Sequence, residues 1–283
     1  MNALHGIIDW RRFAARRADS RERFGIHFKP SMSDIHPDWL RPSFTVPGVA
    51  ALMTTRRGGF SAAPFDSMNV RDGLGDEPAA VERNRAVLER AIGVQPVHLN
   101  QVHGRGVVRL HRADAQRTAL PLEADASFTT DVGVACAVQV ADCLPVLFAA
   151  PGAVAAAHAG WRGLAAGVLE ATVDSLCGAA GCEPQAVQAW LGPCIGPRQF
   201  EVGDDVRRAF GGDQRVDSLR FAPLGAGKWL ANLPLLATDR LRECGVISNS
   251  GGNWCTVEDA SRFFSFRRDR ITGRMVAAIW LAA

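Results

Sequence analysis

The sequence predicts an α+β protein in which sheets pack together and helices lie outside them. Three observations carry this. Segments with strand character outnumber those with helical periodicity. The two kinds are interspersed without a regular βαβ rhythm. Several strand-like runs are apolar throughout, as strands covered on both faces are.

Taken in order, "VAALMTTR" from Val49 reads as the first strand, and the glycine-rich loop "RGGFSAAPFDSMNV" follows it. "DEPAAVERNRAVLERAIG" reads as a helix. Asp76 stands as its cap, Pro78 lies in its first turn, Val81, Leu88 and Ile92 share one face, and Gly93 stops it. "VHLNQVHGRGVVRLHR" reads as two strands around His103, Gly104, Arg105 and Gly106. "ASFTT", "GVACAVQV", "LPVLFAA" and "AVAAAH" read as four more, the last two joined at Pro151 and Gly152. A helix is predicted from Gly163 to Cys177 with its stop at Gly178. "VQAWLGP" reads as a strand, Asp204 to Phe210 as a short helix, and "ANLPLLATDRLRECG" as a helix stopped by Gly245. "RMVAAIWLA" closes the chain as a buried strand.

The chain has 283 residues, 47% hydrophobic and 22% charged, an ordinary globular composition. Residues 1–40 carry charge but little apolar periodicity and read as an extension, with Met32 a plausible alternative start. The length of the remainder, residues 41–283, fits one large domain or two intimately packed halves. The most apolar stretch, Gly133 to Ala159, is interrupted by Gln139, Asp142, Pro145, Pro151 and Gly152, so no membrane partner is expected. The N-terminus lacks a secretory pattern, and the seven cysteines are scattered and odd in number. Both point to reduced thiols in the cytoplasm. The net charge of +3 has no clustered basic patch behind it, which argues against a nucleic-acid partner. No G-x-G-x-x-G follows a strand and no P-loop is present, so dinucleotide redox work and P-loop phosphoryl transfer lose their usual supports.

Three polar residues stand where strands end: His103 in "NQVHG", Cys143 in "QVADCLPV" and His158 in "AAAHAGWRG". Each adjoins a small residue, which permits close approach of a backbone or ligand. Taken singly, each also suits a plain structural role. Meeting in space, two imidazoles and a thiolate would make a zinc site with an open position. Copper is a weaker possibility for the same donors. Cys143 with one histidine would instead make a thiolate–imidazolium nucleophile. Asp125 in "EADAS" is a second candidate acid or a turn residue, while Asp142 is expected to face away from Cys143. Arg56, Arg57 and Arg162 stand beside glycine-containing loops, and "GWRGLAAG" offers free N–H groups to an anion. Arg267 and Arg268 are expected to pair with acids on neighbouring elements.

"TTRRGGFS", "NQVHG", "EADAS", "QVADCLPVLF", "AAAHAGWRGL", "LGPCIGPRQFEVG" and "FFSFRRDRITGR" together resemble the YfiH family, also called the laccase-domain or polyphenol-oxidase-like family. The match runs in order from about Thr54 to Leu281. The resemblance implies a layered α/β/β/α fold with mixed sheets. It implies that His103, Cys143 and His158 bind Zn2+ and act in catalysis. The implied activity is phosphorolysis of adenosine, inosine or methylthioadenosine, with nucleoside and phosphate as small-molecule partners. Adenosine deamination, editing of a peptidoglycan precursor and copper-dependent phenol oxidation are the implied alternatives. For substrate contact the sequence offers Arg56, Asn69 and Arg162. The zinc deaminase pattern H-x-E is missing, since His158 is followed by Ala-Gly, and no H-x-H copper pair occurs. The family's usual tyrosines at Phe200 and Phe266 are absent, because this chain has no tyrosine at all.

Overall fold

The computed structural model describes residues 35–116, 121–211 and 218–282; the expectations for residues 1–31 and Met32 lie outside these. Residues 35–40 are anchored to the rest of the protein: Ile35 packs on the core and Asp38 pairs with Arg57. Trp39 is buried and donates its indole N–H to the Arg57 carbonyl, and Leu40 bridges to Met53.

Thirteen strands are described. They are β1 (Val49–Met53), β2 (Gln95–His98), β3 (Val107–Arg109), β4 (Ala126–Thr129), β5 (Val134–Val140), β6 (Leu144–Ala150), β7 (Ala153–Ala159), β8 (Gln188–Leu191), β9 (Glu201–Gly203), β10 (Phe221–Gly225), β11 (Lys228–Ala231), β12 (Ser248–Gly251) and β13 (Met275–Leu281). The helices are α1 (Pro78–Ile92), α2 (Trp161–Ala166), α3 (Val168–Ala180), α4 (Asp204–Ala209), α5 (Leu233–Glu243) and α6 (Phe266–Asp269).

Two mixed sheets form the body. One has the order β1-β13-β5-β2, the other β12-β8-β6-β7-β4-β3. A small antiparallel sheet, β10-β11-β9, stands apart. Side-chain alternation sorts the core into three layers. Val134, Cys136, Val138 and Val140 of β5 meet Leu147, Ala149, Val154 and Ala156 of β6 and β7 between the sheets. The opposite face of β5 and β13 packs on α1 through Ala135, Ala137, Val276 and Leu88. The outer face of the second sheet packs on α3 and α5 through Phe148, Ala155, Val173, Leu176 and Leu241. The result is the α/β/β/α layering. It also explains why β5, β6, β7 and β13 are buried at every position and read as unbroken apolar runs.

Several local expectations shift. Helix α1 begins one residue later than predicted, with Glu77 at the N-cap; the Asp76 carboxylate instead accepts from Ser61 Oγ and Asn69 Nδ2. Gly93 caps it in the left-handed conformation. The helix predicted from Gly163 is two helices, because Gly167 turns to φ 92° between α2 and α3, and α3 runs past Gly178 to Gly181. The strands flanking His103 do not pair with each other. β2 runs parallel to β5 in the first sheet and β3 parallel to β4 in the second. Thus the chain crosses between sheets at His103, and it crosses again between β5 and β6, at Asp142 and Cys143.

Candidate metal centre

The antiparallel register of β6 and β7 places Pro145 opposite His158. Continued outward, it sets Cys143 beside Gly160. Side chains at 143, 145 and 147 share a face with those at 154, 156 and 158, so Cys143 and His158 project the same way. His103 joins them from the β2–β3 crossing, where its backbone takes φ 62°. The ligand atoms of His103, Cys143 and His158 all lie within 4.8 Å of one another. His103 Nε2 is 3.7 Å from Cys143 Sγ, and the two imidazoles stand edge to face with centroids 4.8 Å apart.

Asp125 organises this arrangement. Its carboxylate accepts the backbone N–H groups of Val102, His103 and Gly104 at 3.2, 2.9 and 2.6 Å. It also lies 2.8 Å from His158 Nδ1, and its carbonyl accepts His158 N–H at 2.7 Å. One fully buried carboxylate therefore fixes both the loop that carries His103 and the ring of His158, leaving Nε2 of His158 as the free donor. Two glycines make room. A Cβ on Gly160 would come within 2.9 Å of the His103 ring and 3.0 Å of Cys143 Sγ, and one on Gly163 within 2.7 Å of the Gly104 carbonyl.

The electrostatics follow from these contacts. Burial pushes the Cys143 thiol up, but the facing His158 charge and hydrogen bonds from His103 and His158 bring it down to about 6. Burial alone would lower His158; the Cys143 thiolate and Asp125 raise it to about 9. Burial works against the Asp125 carboxylate, yet hydrogen bonds from His158, Gly104 and His103 hold it below its ordinary value. Two imidazoles and one readily ionised thiol grouped within 4.8 Å, two of them positioned through a buried acid, fit a divalent metal of borderline softness.

Asp142 faces the other way, at φ 88°. It accepts from Thr256 Oγ1 at 2.5 Å and from the backbone N–H of Arg267 at 2.6 Å, tying α6 to the crossing. Beside Cys143 lies a cavity of about 190 Å3, walled by Trp161, Ile195, Phe200, Leu233 and Phe266. Phe200 and Phe266 are the two positions without a phenolic hydroxyl, and both face this space.

The three residues expected to contact substrate, and the other arginines singled out in the sequence, are placed as follows. Arg162 is exposed at the start of α2 and stacks on the Trp161 ring at 4.4 Å, next to the cavity. Arg56 is engaged by Asp66 and by the Ala260 carbonyl, over the Phe264 ring. Asn69 is fully buried; its amide bonds Arg71 and Asp76 and accepts from the Arg274 backbone. Arg57 donates to the Ser261 carbonyl. Arg267 donates to the Glu201 carbonyl, and Arg268 pairs with Asp269 on its own helix and with three carbonyls. Sequence reasoning gave Asp125 only an undecided role. Its signal was present in the small residues flanking an acid at a strand start.

Among the described residues, the layered α/β/β/α sandwich carries one His–Cys–His group that could hold a metal ion, at the seam of its two sheets. The family model described as multi-copper polyphenol oxidoreductase laccase matches residues 50–282, and the chain belongs to this laccase-domain family. It is 49% identical over 247 residues to a purine nucleoside phosphorylase of Pseudomonas aeruginosa, covering 86% of this chain and 98% of that protein. It is 47% identical over 254 residues to purine nucleoside phosphorylase YfiH of Escherichia coli, covering 87% and 98%. The solved structure of a Neisseria meningitidis protein superposes with a TM-score of 0.80 at 42% identity, over 87% of this chain and all of that one. YlmD of Geobacillus stearothermophilus gives 0.81 at 30% identity, over 91% and 99%.

Proposed function

We propose that the protein is a zinc-dependent purine nucleoside phosphorylase acting on adenosine, inosine or methylthioadenosine. The carrying observation is the three-donor cluster with an open side against an apolar cavity, in a chain whose relatives bear the purine nucleoside phosphorylase name. His103, Cys143 and His158 hold the metal. A zinc ion there supplies Lewis acidity toward an oxygen or nitrogen of the substrate. Trp161, Phe200 and Phe266 offer aromatic surface on which a purine stacks, and their cavity excludes water from the glycosidic bond. Arg162, at the rim, contacts the nucleoside. Arg56 and Asn69 serve the site by fixing the loop between β1 and α1. In phosphorolysis a phosphate oxygen bonds to ribose C1′ while the bond from C1′ to the purine nitrogen breaks. The purine leaves with the electron pair and takes up a proton.

The test is incubation of zinc-loaded protein with adenosine, with and without phosphate, and separation of products. Phosphate-dependent adenine and ribose 1-phosphate support the proposal. Inosine in both arms would indicate deamination, and absence of either product overturns the assignment. Copper phenol oxidation has less support: among the described residues the His/Cys donors form one three-ligand group, whereas multicopper chemistry needs more. A second reading, a precursor-editing hydrolase, draws on the thiolate–imidazolium character of Cys143 and His158. A Cys143→Ser protein that keeps its metal but loses hydrolysis would favour it.

A further inference from the structure

The two adjacent arginines of α6 are used in opposite ways. Arg268 spends its guanidinium inside the protein. It donates to the carbonyls of Thr256, Val257 and Phe263 and forks onto the Asp269 carboxylate at 2.8 and 2.7 Å. The acid partner expected for Arg267 is missing among the described residues. Its guanidinium makes one hydrogen bond, to the Glu201 carbonyl at 3.1 Å. A guanidinium carries five N–H donors, so most of this fork is left open to solvent or a ligand.

The neighbouring acids are turned elsewhere. The Glu201 carboxylate lies 3.5 Å from Lys228 Nζ. The Asp142 carboxylate takes Thr256 Oγ1 and the backbone N–H of Arg267, not its side chain. Asp269 is held by Arg268.

The location fits a reactant. Among the residues that wall the cavity beside Cys143, Arg267 is the cation. Its guanidinium carbon stands over the Phe200 ring, 5.5 Å from the centroid, and Phe200 walls the same cavity. Stacking on a ring holds a weakly hydrated guanidinium in place, and its fork suits an oxyanion. The other two aromatic walls also carry arginines, Arg162 over Trp161 at 4.4 Å and Arg270 over Phe266 at 5.8 Å. Among the described residues none of these three arginines is in an ion pair. Positive charge gathered around an apolar space concentrates anions there. The backbone ties Arg267 to the His–Cys–His cluster, because Asp142, which holds its N–H at 2.6 Å, directly precedes Cys143.

We propose that Arg267 is the phosphate-binding residue, holding the oxyanion at the wall of the cavity beside Cys143. This rests on the phosphorylase reading for the reaction, while the anion site itself is testable without turnover. Hydrogenphosphate bonded to the guanidinium presents one oxygen to ribose C1′. As that C–O bond forms, the bond from C1′ to the purine nitrogen breaks, its electron pair leaving with the purine. The purine takes up the proton that hydrogenphosphate loses. The guanidinium keeps its protons throughout and offsets the phosphate charge.

Two measurements on zinc-loaded protein test this. One is the thermal midpoint in millimolar inorganic phosphate, against chloride at matched ionic strength. The other is the pair of KM values for phosphate and for adenosine. Wild type is compared with Arg267→Gln and Arg267→Lys.

Phosphate should raise the wild-type midpoint beyond the chloride control, and Arg267→Gln should remove most of that rise. The phosphate KM of Arg267→Gln should increase about tenfold or more, the worth of one charge-assisted hydrogen bond, with the adenosine KM little changed. Arg267→Lys keeps the charge and loses the fork, so its phosphate KM should fall between; it decides the matter if the glutamine protein does not fold. A wild type that makes no adenine but shows an Arg267-dependent phosphate shift would sink the phosphorylase reading and leave the anion site standing. No phosphate shift in wild type overturns the site. So does a shift retained in Arg267→Gln, which would mean that the metal alone holds the anion, or a phosphate KM unchanged in both variants.

Discussion

The Asp125 carboxylate lies 2.8 Å from Nδ1 of His158, and the same residue's carbonyl accepts the His158 backbone N–H. Both bonds come from one buried residue, so the ring and its strand are positioned together. Asp125→Asn keeps the size but replaces an acceptor by a donor facing backbone N–H groups. Metal affinity should fall by about 10- to 100-fold, as for other outer-sphere partners. Competition with a chromophoric chelator measures it; unchanged affinity would mean that Asp125 serves the loop alone.

Asp125 also predicts an acid limb of stability. Its folded value is depressed below the ordinary 3.8, so its contribution is complete above 3.8 and lost as pH falls through the lower folded value. Urea midpoints of wild type and Asp125→Asn should converge on acidification from pH 5 toward 2.

Gly160→Ala should remove metal while sparing the fold. Its Cβ would meet the His103 ring and Cys143 Sγ at 2.9 and 3.0 Å, the space the ligands need. Zinc per chain should drop well below one with an unchanged circular dichroism spectrum. Full zinc content in the alanine protein would refute the crowding argument.

Cys143 should be the fast thiol of the metal-free protein. Its value of about 6, against an ordinary 9.0, means that alkylation rises through pH 6 and levels off before pH 8. Buried Cys136, pushed up to about 12, should stay inert over the same range. Peptide mapping after iodoacetamide treatment at several pH values reads both, and zinc should protect Cys143.

Asp142→Ala should destabilise the protein by roughly 2–4 kcal/mol, because it strands the Thr256 hydroxyl and the Arg267 N–H inside the structure. Denaturant unfolding gives the number; a loss below about 0.5 kcal/mol would show that water replaces the carboxylate.

Much of this was legible in the chain. The buried strands β5, β6, β7 and β13 announced themselves as apolar runs, and Gly93 marked its helix end. The hairpin of β10 and β11 was not legible, since "FAPLGAGKWLA" is short, partly exposed and broken by proline and glycine. Polar "SNSG" of β12 pairs only at the sheet edge, so nothing in its pattern signals a strand. The three residues of the His–Cys–His cluster were visible as strand-end residues. Their meeting depended on the family resemblance, because it requires two crossings between sheets that no local pattern encodes. The bond from the Arg274 backbone N–H to Asn69 Oδ1 left no sequence trace, as it spans 205 residues.

Those two crossings have a mechanical meaning. His103 sits where the chain leaves the first sheet for the second, Cys143 where it does so again, and His158 within the second sheet itself. A metal bound by all three is a rivet through the open end of the sandwich. Its free energy of binding is then shared with the cohesion of the two sheets. Stripping the ion should loosen amide protons along the facing strands β5 and β7 before it disturbs α1 or α5, so that the health of the centre is written in the stiffness of the seam.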